Sequence, residues 1–199
     1  RIGEIVMAKT LIKSSGDIST GTSAVTFVDG TSDVVFDNTY SVYEFHFVNI
    51  HLGTLNAELQ FQVNSTNDAG GGYDTSPITS TFFGAYNDES GGTPAVAYHG
   101  GHDIANAADT FQNLTYNQGA ASGFDDSSMS GILTLYDPSS TTYVKHFTAR
   151  TNGMMSNPTS VDNFAAGYIN DYQYAIDEIK FQSSSGNIDA GVIKMFGVS

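Results

Sequence analysis

Val42-Tyr-Glu-Phe-His-Phe-Val-Asn-Ile50 places Tyr43, Phe45 and Phe47 on one face of an extended chain and Glu44 and His46 on the other. Successive side chains of a strand point to opposite faces, so this period of two predicts a strand with one aromatic side against a core. The next run, Ala57–Val63, repeats the pattern: Leu59, Phe61 and Val63 alternate with Glu58, Gln60 and Gln62. Between them His51-Leu-Gly-Thr-Leu-Asn56 is short and holds a glycine, which predicts that the two strands pair antiparallel.

Outward from this pair, β-branched and aromatic runs recur between clusters of Gly, Ser, Asn and Asp. Strands are expected at Ala24–Val28, Thr79–Tyr86, Pro94–His99, Thr110–Tyr116, Gly131–Tyr136, Tyr143–Arg150, Asn163–Ile169, Ala175–Gln182 and Gly191–Gly197. With the first two, that makes about ten to eleven, a spacing that fits two packed sheets of an all-β protein. Asp137-Pro-Ser-Ser-Thr-Thr142 joins two strong strands with a turn-forming proline, which predicts a hairpin, and Ser183–Asp189 is expected to form another. Asp103–Asp109 is too short for a stable helix and reads as a loop or a single turn.

A chain of 199 residues that is 40% hydrophobic and 12% aromatic can bury a sizeable core, which argues against intrinsic disorder. Residues 23–199 read as one β-sandwich domain, and residues 1–22 as an N-terminal arm or a first edge strand. Against 21 acidic residues there are only 7 Lys and Arg, a formal charge of −14. Seven scattered bases cannot release phosphate counterions from one face, which excludes nucleic acid as a partner, and they offer little to an anionic membrane. With no cysteine, disulfide, zinc-thiolate and thiol-nucleophile chemistry are closed. No stretch approaches eighteen apolar residues and Arg1-Ile-Gly-Glu-Ile-Val6 lacks a signal-peptide core, so the expectation is a soluble chain without membrane insertion.

Residues able to do chemistry are present without the settings that chemistry needs. Of the five histidines only His99-Gly-Gly-His102 brings two together, with no helix face and no third ligand, so His99 and His102 are expected to flank a turn and His46 and His146 to sit on polar strand faces. The acids of Asp29–Asp33–Asp37, Asp88-Glu89 and Asp125-Asp126 could offer oxygens to Ca²⁺, but no EF-hand or RTX spacing accompanies them and turn chemistry explains them more simply. No nucleophile elbow, P-loop or dinucleotide fingerprint occurs, and the many carboxylates are no evidence of a glycosidase pair. The expectation is a protein that is not an enzyme and holds no cofactor or metal. Tyr73, Tyr86, Tyr98 and Tyr116 are the candidates for stacking on sugar rings, set against the plainer role of tyrosine as core filler in a chain without Trp. Local function would sit in the longer loops, Ser65–Ser76, Asn87–Thr93 and Gln118–Ser128.

Several segments carry a resemblance. At the C-terminus stand Ala175-Ile-Asp-Glu-Ile-Lys-Phe-Gln182, Ser184-Ser-Gly-Asn-Ile-Asp189 and Gly191-Val-Ile-Lys-Met-Phe-Gly197. Upstream are Phe27-Val-Asp-Gly-Thr-Ser-Asp-Val-Val35, Tyr43–His51, Ser80-Thr-Phe-Phe83, Asp137–Phe147 and Ala166-Gly-Tyr-Ile-Asn170. Together, from about residue 24 onward, they resemble virion structural proteins of marine tailed phages such as cyanophages, with Phe196 where a Tyr is more usual. The resemblance implies a jelly-roll-like antiparallel β-sandwich on the virion surface, made in the host cytoplasm. It would be a head decoration or cement protein, or a tail fibre or appendage subunit, and the family transfers no catalytic residue. Its expected partners are other copies of itself, with a trimer by analogy, and other virion proteins. A carbohydrate-binding module used in host-surface adsorption, with glycan as partner, is the alternative. At marine ionic strength the Debye length is roughly 4–5 Å, so copies carrying −14 would repel one another only weakly.

Overall fold

A computed structural model of the chain describes residues 8–67, 73, 76–92, 94–118, 126–155 and 157–199. Arg1–Met7, parts of the loops Ser65–Ser76 and Gln118–Ser128, and Thr93 lie outside these described residues. Among the described residues no helix forms and twelve strands do: β1 (Lys9–Ser14), β2 (Ala24–Val28), β3 (Val42–Leu52), β4 (Leu59–Ser65), β5 (Ile78–Asp88), β6 (Ala95–Tyr98), β7 (Gln112–Asn113), β8 (Met129–Tyr136), β9 (Lys145–Met154), β10 (Thr159–Ile169), β11 (Ile176–Ser183) and β12 (Ile188–Val198). They build an eight-stranded sheet, β1-β12-β3-β8-β9-β10-β5-β6, and a four-stranded one, β2-β11-β4-β7, antiparallel throughout.

The order follows a simple rule. β1, β2, β3 and β4 run against β12, β11, β8 and β7, so consecutive strands of this long folded hairpin alternate between sheets. Contacts of β12 with β3 and of β11 with β4 close the two layers. This is a jelly roll of eight strands. The other four arrive as pairs, β5–β6 between β4 and β7 and β9–β10 between β8 and β11, and all add to the β8 side of the larger sheet. The larger sheet is thereby twice as wide in strands as the smaller.

Two expected pairings are corrected. β3 and β4 lie in different sheets, and the link after Leu52 arches over the core instead of closing a hairpin. An alternating ribbon buries the same residues whether its neighbour lies beside it or across the core, so the pattern alone does not separate the two. Likewise Ser183–Asp189 carries the chain from β11 in one sheet to β12 in the other. The Asp137 turn does join a hairpin, with Leu135 opposite Phe147 in the β8·β9 ladder.

The expected strand over Thr110–Tyr116 shrinks to Gln112–Asn113, because Leu59 N–H donates to the Thr115 hydroxyl (2.8 Å) where a ladder carbonyl would stand. In β3 the alternation breaks at Val48 and Asn49, both exposed, where a bulge shifts the register against β8. Gly191 sits against that bulge with φ +111°, and a Cβ there would meet the Asn49 carbonyl at 2.6 Å.

The core is aromatic and spans both layers. Phe181 of β11 meets Phe45 and Phe47 of β3 at ring distances of 5.3 and 5.2 Å, and Phe61 of β4 meets Phe147 of β9 at 5.1 Å. All five rings are fully buried. Lys145 is also fully buried, its ammonium donating to the carbonyls of Asp171 and Tyr174 and so tying the loop before β11 to the start of β9.

Candidate functional site

The four candidate tyrosines do not converge. Tyr73 lies over the outside of the smaller sheet, where the Lys180 ammonium stands 5.1 Å from its ring and 5.5 Å from that of Phe111. Burial, then the neighbouring Glu178 and Asp177 carboxylates, raise its phenol above the ordinary value. Tyr86 is half-buried on β5, and half-buried Tyr116 stacks on His99 at 4.0 Å. Tyr98 alone of the four is well exposed, 58%, and its hydroxyl donates to Asp103 at 2.6 Å. A cleft of about 690 Å³ at the ends of β5, β8, β9 and β10 has no aromatic residue among its described lining residues. No common sugar platform results.

His99 and His102 do flank a turn, closed by His102 N–H to the His99 carbonyl at 3.0 Å, yet both rings point inward. His102 packs on Phe82 at 5.3 Å and stands 3.3 Å from Glu58, whose other oxygen accepts from the Ser184 hydroxyl at 2.8 Å. Burial pushes the Glu58 carboxyl up, but the bonds from His102 and Ser184 and the charge of His102 hold it below its usual value of 4.5. Burial, followed by the nearby His102, lowers His99 from its ordinary 6.5. A hydrolytic relay needs the hydroxyl to donate to the imidazole and the imidazole to the carboxylate. Here hydroxyl and imidazole both face one carboxylate, so no nucleophile is activated. The two-residue spacing of His99 and His102 was visible in the sequence; Glu58 and Ser184, far away in it, were not.

The acid clusters behave as turn residues. Asp29 accepts from Phe36 N–H and Asp37 from Thr39 N–H, both at 2.8 Å, while Asp88 accepts from Ser90 and Gly92. Asp125 lies outside the described residues. Among the described residues no group of three or more His, Asp and Glu is placed to hold a metal.

What the chain does present is a surface. The outside of the smaller sheet is covered along β4: Gln62, expected on a polar outer face, is buried, as is Asn64, and Gln62 donates to the Thr110 carbonyl at 2.9 Å. The outside of the larger sheet is bare. Ladder register sets one row straight across it, Tyr98, Phe83, Phe164, Arg150, Ile132 and His46. Phe83 and Phe164 are stacked at 4.9 Å, and the Arg150 guanidinium lies 5.1 Å over Phe164. Beside it runs a row of small and hydroxylated residues, Thr81, Ala166, Thr148 and Thr134, ending at Glu44 and Phe196.

Of the ten large hydrophobic side chains exposed among the described residues, seven stand on strands of this sheet: Leu11, Val48, Phe83, Val96, Tyr98, Ile132 and Tyr136. Three basic side chains here meet carboxylates, and Lys194 stands opposite His46 at the next position of the row. Arg150 forks onto Asp162 (2.7 Å at the shortest), and Lys9 and His46 meet Glu44 at 2.5 and 2.7 Å. His46 and His146 do occupy this outer face, as the alternation of their strands required.

Comparison with protein-family models, with curated proteins and with solved structures finds no match to this chain.

Proposed function

We propose that this chain is a non-enzymatic structural protein of a tailed-phage virion exterior, a head decoration or cement protein or a tail fibre or appendage subunit that assembles through repeated subunit contacts. The observation that carries the reading is the bare, largely uncharged outer face of the eight-stranded sheet, with its exposed row from Tyr98 to His46. A sheet face holding most of the exposed large hydrophobic residues is what an assembling part needs and what a solitary one avoids. Two further features support it. The acid clusters of the described residues are spent on turns and on the Glu58 pairings, and the segments on which the virion resemblance rests are strands and turns of the two sheets.

The test is location. Gold-labelled antibody against the folded chain should decorate the head or tail of intact particles of the phage that encodes it. Chain that stays in the soluble fraction of a lysate, with unlabelled particles, refutes the assignment.

Adsorption to host-surface glycan is the second reading, favoured by exposed Tyr98 beside exposed Phe83 on the same row. Retention of the purified chain on a glycan array, lost in Tyr98→Ala, would establish it.

A further inference from the structure

We infer that the outer face of the eight-stranded sheet is a self-association interface, on which a second copy of this chain lays the same face so that the two Phe83–Ile132 rows cross at the centre. The inference rests on the assembling role proposed above and names its partner and its surface.

Size is the first argument. Eight strands about 4.8 Å apart, each contributing about eight residues at about 3.3 Å, make a face of roughly 34 by 27 Å, or about 900 Å². A stable protein–protein interface needs about 800 Å² from each partner. The four-stranded sheet offers about half the width, and part of its outer face, at Gln62 and Lys180, is already occupied by Thr110, Phe111 and Tyr73.

Charge is the second. Two copies bring −14 each, so most approaches are repulsive. In the rows around Phe83 and Ile132 the carboxylates among the described residues are Glu44 and Asp162, and each is already paired within its own copy. This face is therefore where two copies meet with little like-charge penalty. A cationic partner would be drawn instead to the acidic loops, and a nucleic acid would meet only a few bases on this sheet, two of them, Lys9 and Arg150, already paired with carboxylates.

Composition is the third. Interface centres favour aromatic side chains and Arg over Lys and acids. The row holds Tyr98, Phe83, Phe164 and Arg150, with Ile132 exposed beside them and threonines flanking them, which suits two sheets packed about 10 Å apart with strands near-aligned. A two-fold arrangement uses the one surface twice and closes.

The test uses the full chain alone. Sedimentation equilibrium across the micromolar range should show reversible association that strengthens as NaCl is raised, because salt screens the −14 on each copy while leaving the apolar row unaffected. Phe83→Glu with Ile132→Glu should weaken association by at least about 30-fold, as loss of central anchors does. Far-UV circular dichroism and the urea midpoint check that this variant folds.

A second measurement does not depend on it. The chain has no cysteine, so Thr148→Cys should be joined into a covalent dimer by a bismaleimide spanning about 10 Å, the separation of packed sheets, whereas Ser184→Cys should not. A chain that stays monomeric at every salt concentration, a folded double-Glu variant that associates as well as the parent, or cross-linking at 184 in place of 148 overturns the inference. So does a monomer that binds glycan through Tyr98. Particle labelling can succeed while these assays fail, or the reverse, so the two readings fall separately.

Discussion

The rings of Phe83 and Phe164 lie 4.9 Å apart and within 6° of parallel on the outside of the larger sheet, directly opposite one another in the β5·β10 ladder. A non-hydrogen-bonded or hydrogen-bonded cross-strand pair alike brings such rings into contact. On this sheet the contact is made in the open: Phe83 is 41% exposed, and Phe164 is half-buried under the Arg150 guanidinium.

Phe83→Ala removes the ring pair from a side chain that is already 41% exposed. In dilute, monomeric protein it should lower the unfolding free energy by only about 0.5–1.5 kcal/mol, read from a urea midpoint at unchanged slope. A larger loss would mean that the stack anchors β6 to the sheet as well.

Phe181→Ala is the opposite case. Its ring touches Phe27, Phe45 and Phe47 and joins the two sheets. Deleting it should cost about 3–5 kcal/mol, and chemical denaturation of the variant alongside the parent measures the difference.

Lys145→Met keeps much of the side-chain volume but leaves the Asp171 and Tyr174 carbonyls without their donor. The expected cost is about 1–3 kcal/mol, with amide hydrogen exchange rising first in residues 171–175. An unchanged midpoint would show that relief of the buried charge, which burial already drives toward its neutral form, offsets the lost bonds.

Acid should destabilise the fold in two steps. His99 has a folded pKa below 6.5, so the unfolded chain takes up a proton that the folded chain resists, and stability falls as pH drops below 6.5. Glu58 is held below 4.5; its contribution is complete above 4.5 and is lost as pH falls through its lower folded value. Urea midpoints between pH 7 and pH 3 check both, and His99→Phe should flatten the upper step while leaving the lower one.

How much of this was legible in the sequence depends on the range of the interaction. Alternation in Tyr43–Phe47 and Leu59–Val63 identified strands and core faces, because that signal is local. It did not say whether β3 and β4 lie side by side or face to face, since both arrangements bury Phe45 and Phe61 equally. The bulge at Val48 and Asn49 depends on Gly191, more than a hundred residues away, and no local pattern carries that.

The tyrosines illustrate the same limit. Tyr116 was a candidate by type, but its plane is taken by His99, which only the loop between β6 and β7 brings there. The row from Tyr98 to His46 was invisible because its members come from six strands and become neighbours only through register.

Lys9 pairs with Val198 across the β1·β12 ladder, and β3 waits between β12 and β8 for both of its neighbours. On the ribosome, then, the aromatic ribbon of β3 emerges early and stays uncovered on one edge until the last strand of the larger sheet has been synthesised. Folding of the sandwich must wait for β12 and be slow for its size, and a nascent chain stalled before β12 would be the species most prone to aggregate.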